Sequence, residues 1–298
     1  MTHTAFALVI MAGLIHALWN IAAKKAGGDA RFIGYASIIT MLVWAPVGIY
    51  YGGDSIAQWS WKQWAFVAAS GFIHVLYFVA LLRGYRKSDL TVVYPMARGS
   101  GPLMSSLAAI AILGEHISAL GLAGMMAVVI GVFLISGGRD LMRSAQNGGH
   151  SEIKRQLIHK GIFYGLVTGI FIASYTVLDG YAVKVVLISP PLLNYFSILF
   201  QVVFLLPLLL GDRPEALRQW RMQWKYAVIV AVVSPVSYVL VLYAMQTAPL
   251  SHVAPAREVS MLFAALIGGK LLGEGDRVMR IIGAVCIALG VVALGIGS

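Results

Sequence analysis

The chain has 298 residues, of which 59% are hydrophobic, 32 are glycine and only 11% are charged. An ordinary soluble domain carries about 25% charged residues, so a soluble fold could not cover this apolar inventory, and the mean hydropathy of +0.83 excludes disorder as well. A net charge of +10 would suit nucleic acid in a soluble protein, but no basic cluster interleaved with aromatics lies in a soluble segment, so the charge belongs to a membrane surface.

Spanning about 30 Å of hydrocarbon takes about 20 apolar residues of helix. Ten stretches meet this, at about 4–23, 31–51, 64–82, 90–112, 117–137, 161–179, 190–210, 225–246, 253–271 and 278–296. None alternates as the strands of a membrane barrel must. The N-terminal stretch lacks a basic n-region and an A-x-A site, so it reads as a span and not as a cleaved signal. The single cysteine, Cys286, lies in an apolar run and excludes an intrachain disulfide or a thiolate cluster.

The polar, basic stretch 138–160 carries Arg139, Arg143, Lys154, Arg155 and Lys160 and falls midway. It links a first five-helix half, 1–137, to a second, 161–298. Five is odd, so the second half enters the membrane from the opposite side. The halves also repeat. Ala97-Arg98 recurs 159 residues later as Ala256-Arg257, and Leu103, Leu107, Leu113-Gly114-Glu115, Gly124 and Gly131-Val132 recur as Leu262, Leu266, Leu272-Gly273-Glu274, Gly283 and Gly290-Val291. Apolar bias explains the leucines but not Arg, Glu and three glycines in register. The predicted fold is an all-α membrane protein of ten transmembrane helices in two inverted repeats, an architecture typical of secondary transporters. Loop lysines and arginines concentrate on the linker side, which places the linker in the cytoplasm and both termini outside.

A charged side chain at mid-helix costs about 2.5–3.5 kcal/mol on insertion scales, so each needs a reason. Arg98 lies about two turns into the fourth span, and Arg257 and Glu258 about one turn into the ninth. A guanidinium facing a central cavity suits a carboxylate or phosphate; snorkelling, or capping of helix-end carbonyls, is the structural alternative. Glu258 is either a titrating coupling group or the fixed partner of an arginine. Pro95, Gly99 and Gly101 flank Arg98, and Pro255 flanks the second site, so both helices are expected to break at corresponding places and open backbone groups to a cavity. His16, Trp19 and Asn20 share one helical face, as do His74 and Tyr77. Tyr94 lies one turn from Arg98, and Tyr175 takes the place of Trp19 in the second half. These residues would line a substrate site, with interhelical packing as the blander reading.

Tyr238 is expected to join helices, and Asp179, closing the sixth span, to pair with Lys184 at the interface. Glu115 and Glu274 read as structural, capping a helix or accepting a bond from a neighbouring helix end. Gly161-x-x-x-Gly165 and Gly165-x-x-x-Gly169 permit close helix packing, either within the chain or between copies. No HExxH, GxSxG or P-loop pattern is present, and no cofactor or metal ligand set. Transport would therefore run on a gradient or an exchange.

The segments AILGEHISALGLAGMMAVVIGVFLI (111–135) and KLLGEGDRVMRIIGAVCIALGVVALGI (270–296), with DLTVVYPMARGSGPL (89–103) and LSHVAPAREVSMLF (250–263), resemble the drug/metabolite transporter superfamily of the EamA type. The resemblance implies a secondary carrier of the inner cell membrane with a central cavity between the halves, exporting small metabolites such as amino acids. It leaves substrate, direction and orientation open, its eukaryotic relatives being drawn with both termini cytosolic. Expected partners are a small-molecule substrate, the lipid bilayer, and a coupling proton or counter-substrate, with no nucleic acid. An uptake carrier, a non-transporting sensor or assembly subunit, and a membrane enzyme are the alternatives.

Overall fold

The computed structural model describes residues 1–27, 30–136, 152–211, 213–272 and 277–297. Among these residues the chain forms twelve helices and no strand. The first half contains α1 (His3–Ala26), α2 (Ala30–Val43), α3 (Ala45–Ala57), α4 (Trp61–Lys87), α5 (Leu90–Leu113) and α6 (Ala119–Ile135). The second contains α7 (Glu152–Lys184), α8 (Pro190–Gly211), α9 (Arg213–Thr247), α10 (Leu250–Ala256), α11 (Val259–Leu272) and α12 (Arg277–Ile296).

Eight spans are long and apolar enough to cross a membrane, and α2 with the first part of α3, bent by 52° at Trp44 ahead of Pro46, makes a ninth. The remaining predicted span is α6, whose 17 residues extend only about 25 Å. The two ends of the chain meet, the Met1 ammonium donating to the Gly295 carbonyl at 2.9 Å. An even number of crossings is needed to bring them to one side, so α6 and the bent pair count together or not at all.

Inversion of the halves is visible where α6 packs along α12. A Cβ on Gly124 would lie 2.8 Å from the Gly290 carbonyl oxygen, and one on Gly131 2.6 Å from that of Gly283. The earlier glycine of α6 meets the later glycine of α12 and the reverse, so these repeat-equivalent helices run antiparallel. Removing the side chain at four positions lets backbone approach backbone, the close contact that small residues permit between membrane helices. That is why these glycines recur in register. Gly161, Gly165 and Gly169 do the same for α7, facing Ser88 and Val92, then Met96, then Ser100, on or just before α5. The small-residue spacing therefore serves packing within the chain.

Two prolines leave a carbonyl without its helical donor, and a hydroxyl from another helix, which also bonds a carbonyl of its own helix, shares its proton with that carbonyl. Pro255 cannot donate to Ser251, whose carbonyl accepts from Ser106 Oγ of α5 at 3.0 Å. Pro235 frees the carbonyl of Ala231, which accepts from Thr40 Oγ1 of α2 at 3.3 Å. The α5–α6 hairpin ends on Gly114, at φ 67° in the left-handed region, and Ser118 caps α6 by accepting from Gly121 N–H. Glu115 within it reaches across to the second half, accepting from Leu250 N–H and Ser251 N–H at 2.8 Å each. It thus caps α10 as a neighbouring helix end. Its counterpart Glu274 lies outside the described residues.

Candidate functional site

The expected pair of broken helices is corrected on one side. α5 runs unbroken through Pro95, Gly99, Gly101 and Pro102, whereas the second half breaks at Arg257 and Glu258, two residues after Pro255. The glycine face of α7 lies along α5 at Met96, Ser100 and Gly101, so close packing keeps that helix continuous past two missing donors. At the second site i→i+3 bonds carry the turn, from Glu258 N–H to the Pro255 carbonyl and from Met261 N–H to that of Glu258.

This break meets α5 side by side. Arg98 Nη2 lies 2.9 Å from Glu258 Oε2 and donates to Ser260 Oγ at 3.3 Å. The two side chains are 14% and 1% exposed, so this is an interior ion pair. Glu258 is thus paired with an arginine, and Arg98 has its charge answered. Tyr94, one turn back, donates to Met261 Sδ at 3.3 Å. Arg257 differs: only 7% exposed, its side chain forms no hydrogen bond or ion pair among the described residues.

Several predicted residues gather around these arginines. His16 and Tyr77 are within electrostatic reach of both, and Tyr175 is close to both as well. His16 packs edge-on against Trp19 at 4.7 Å, and the buried Trp19 Nε1 has no partner among the described residues. Asn20 leaves the group, donating its amide back to the His16 carbonyl at 2.9 Å. His74 stacks on Tyr175 at 4.1 Å, and Tyr77 meets the same ring at 5.9 Å.

A neighbouring polar cluster overturns two expectations. Asp179 is fully buried and accepts a hydrogen bond from Tyr238 Oη, while Lys184 lies 3.5 Å from Glu115 instead. The predicted sixth span stopped at Asp179, but α7 continues to Lys184, which sets the carboxyl more than a turn inside the helix. Ser70, beside it on α4, bonds to Ser197 of α8 at 2.9 Å. Ser70, Ser197 and Ser260 had no distinguishing sequence signal, since serine is common in membrane helices.

Gly99 supplies the last element. It is buried, yet a Cβ built on it would meet nothing within 4 Å, so open space adjoins α5 beside Arg98. A separate apolar groove of about 570 Å³ between α2, α8 and the start of α9, lined by Tyr35, Leu42, Leu209 and Trp220, includes none of these residues.

Fold and site together define a multi-pass helical membrane protein of two inverted halves, with buried ionic side chains where the halves meet. The model of the EamA-like transporter family matches residues 3–137 and 159–296, and the chain belongs to that family. One crystal structure superposes with a TM-score of 0.74 over 98% of this chain and 96% of the other, at 16% identity, which shows a shared fold. No curated protein matches the chain.

Proposed function

We propose that the protein is a secondary transporter of the inner cell membrane for small anionic or zwitterionic organic metabolites, amino-acid-like in size and charge, working by alternating access and without catalysis or cofactor. One observation carries the reading. The repeat offset maps Arg98 onto Arg257, and maps the two partners of Arg98, Glu258 and Ser260, onto Gly99 and Gly101. Where one arginine has a carboxylate and a hydroxyl, the other has two glycines, and the space beside Gly99 is open. A substrate carboxylate there would take the part for Arg257 that Glu258 takes for Arg98, with bidentate geometry available from the guanidinium. Trp19, His16, Tyr77 and Tyr175 would surround the rest of a small amphipathic solute.

A carrier of this kind is reversible, and it exports when its substrate accumulates inside. The test is an untargeted comparison of metabolites inside and outside cells, at equal membrane levels, for wild type, Arg257→Gln and Gly99→Glu. Arg257→Gln removes the anchor. Gly99→Glu supplies a tethered carboxylate in its place. Both variants should lose a compound that wild type accumulates outside; accumulation inside would mean uptake. A Gly99→Glu protein that folds and transports like wild type would sink the assignment.

A further inference from the structure

We propose that Asp179 is a proton-binding site, taking up and releasing one proton during the transport cycle. Its carboxyl is fully buried among α4, α7 and α9. An ionised carboxylate so placed needs a cation or a full set of donors. Tyr238 Oη satisfies Oδ2; the Ser70 hydroxyl lies near the carboxyl but bonds to Ser197 at 2.9 Å, so among the described residues buried Oδ1 has no well-formed hydrogen bond and Asp179 forms no ion pair. A proton on Oδ1 removes a charge that has no cation in direct contact and turns that acceptor into a donor.

The groups around it are few. From α4 come Ser70, whose hydroxyl adjoins the carboxyl, and His74, whose Nδ1–H donates to the Ser70 carbonyl at 2.9 Å. From α9 comes Tyr238, from the α10–α11 break Arg257, and from α7 itself Tyr175. The titratable groups of α5 are engaged elsewhere, Arg98 with Glu258 and Tyr94 with Met261, and Tyr195 of α8 packs against Phe196.

The charges suggest what the proton does. With Asp179 ionised, two arginines face two carboxylates and the interior is balanced. Protonation leaves one positive charge in excess, which an anion at Arg257 would neutralise. Proton and anion therefore favour each other's binding, by reciprocal linkage. This coupling rests on the reading of Arg257 above; the proton site does not.

Infrared difference spectroscopy of the purified protein during a pH titration tests the site without any substrate. A carbonyl stretch of a protonated carboxyl should vanish as pH rises and be missing from Asp179→Asn. In Arg257→Gln, which removes a nearby positive charge, it should persist to higher pH. Tyr238→Phe should shift its frequency, and this variant decides the assignment if Asp179→Asn does not fold. A spectrum without a titrating carboxyl, or a band unchanged in these variants, overturns the proposal. In cells, Arg257→Gln without transport beside Asp179→Asn with wild-type transport and pH response would refute the proton site and leave the anion reading intact.

Discussion

Truncation of Glu115 should destabilise the protein far more than its place in a short hairpin suggests. Its two oxygens each accept a backbone N–H at 2.8 Å, from Leu250 and Ser251, residues that are 2% and 0% exposed. Glu115→Ala leaves both donors buried and unpartnered, at about 1–3 kcal/mol each, or about 4 kcal/mol together. Glu115→Gln keeps one acceptor and turns an amide N–H toward the other donor, so roughly half that loss remains. Lys184, 3.5 Å from Glu115 but with a 40% exposed side chain, contributes under about 1 kcal/mol. Thermal unfolding in detergent reads the order. At about 2–4 °C per kcal/mol for a chain of this order, Glu115→Ala should melt roughly 10 °C lower, Glu115→Gln about 5 °C lower, and Lys184→Ala within about 2 °C of wild type. If Glu115→Ala and Lys184→Ala melt together, the carboxylate does not hold α10 and the reasoning fails.

Gly131→Leu should prevent folding, because its Cβ would sit 2.6 Å from the Gly283 carbonyl oxygen, where only helix separation can relieve it; loss of monodisperse protein in detergent checks this. Gly99→Ala should leave the fold intact or stabilise it by up to about 1 kcal/mol, since the added methyl meets open space in a helix interior, and a lower melting temperature would contradict that space. Ser106→Ala should cost about 1 kcal/mol in wild type but much less in a Pro255→Ala background, where a new N–H can serve the Ser251 carbonyl. Additive losses in that double-mutant cycle would show that the hydroxyl does not replace the missing donor.

Much of this architecture is legible in the sequence. Hydrophobic runs marked nearly every helix, and the recurrence of Gly124 and Gly131 as Gly283 and Gly290 foreshadowed the α6–α12 crossing. Glu115 read correctly as a structural group, because a lone carboxylate beside helix ends has N–H donors to satisfy. The site was only half legible. Arg98 and Arg257 look alike in the repeat, and their difference lies one and three residues on, where Glu258 and Ser260 stand over Gly99 and Gly101. Asp179 was misplaced because a polar residue in an apolar run resembles the end of a span, and nothing local says that α7 continues to Lys184. Asn20 shares a face with His16 and Trp19, yet whether an amide bonds forward or back to its own helix is a choice of rotamer.

The mismatch between Glu258 and Gly99 has a consequence for how such a molecule could arise. Two identical half-length chains assembled around a two-fold axis must carry the same residue at both of these places. With glutamate at both, each arginine would be neutralised; with glycine at both, two cations would lie buried together. Joining the halves into one polypeptide lets each be altered alone, so one arginine has an internal partner while the other, on which the proposed substrate site rests, has none among the described residues. In a symmetric dimer that division of labour would need a second gene.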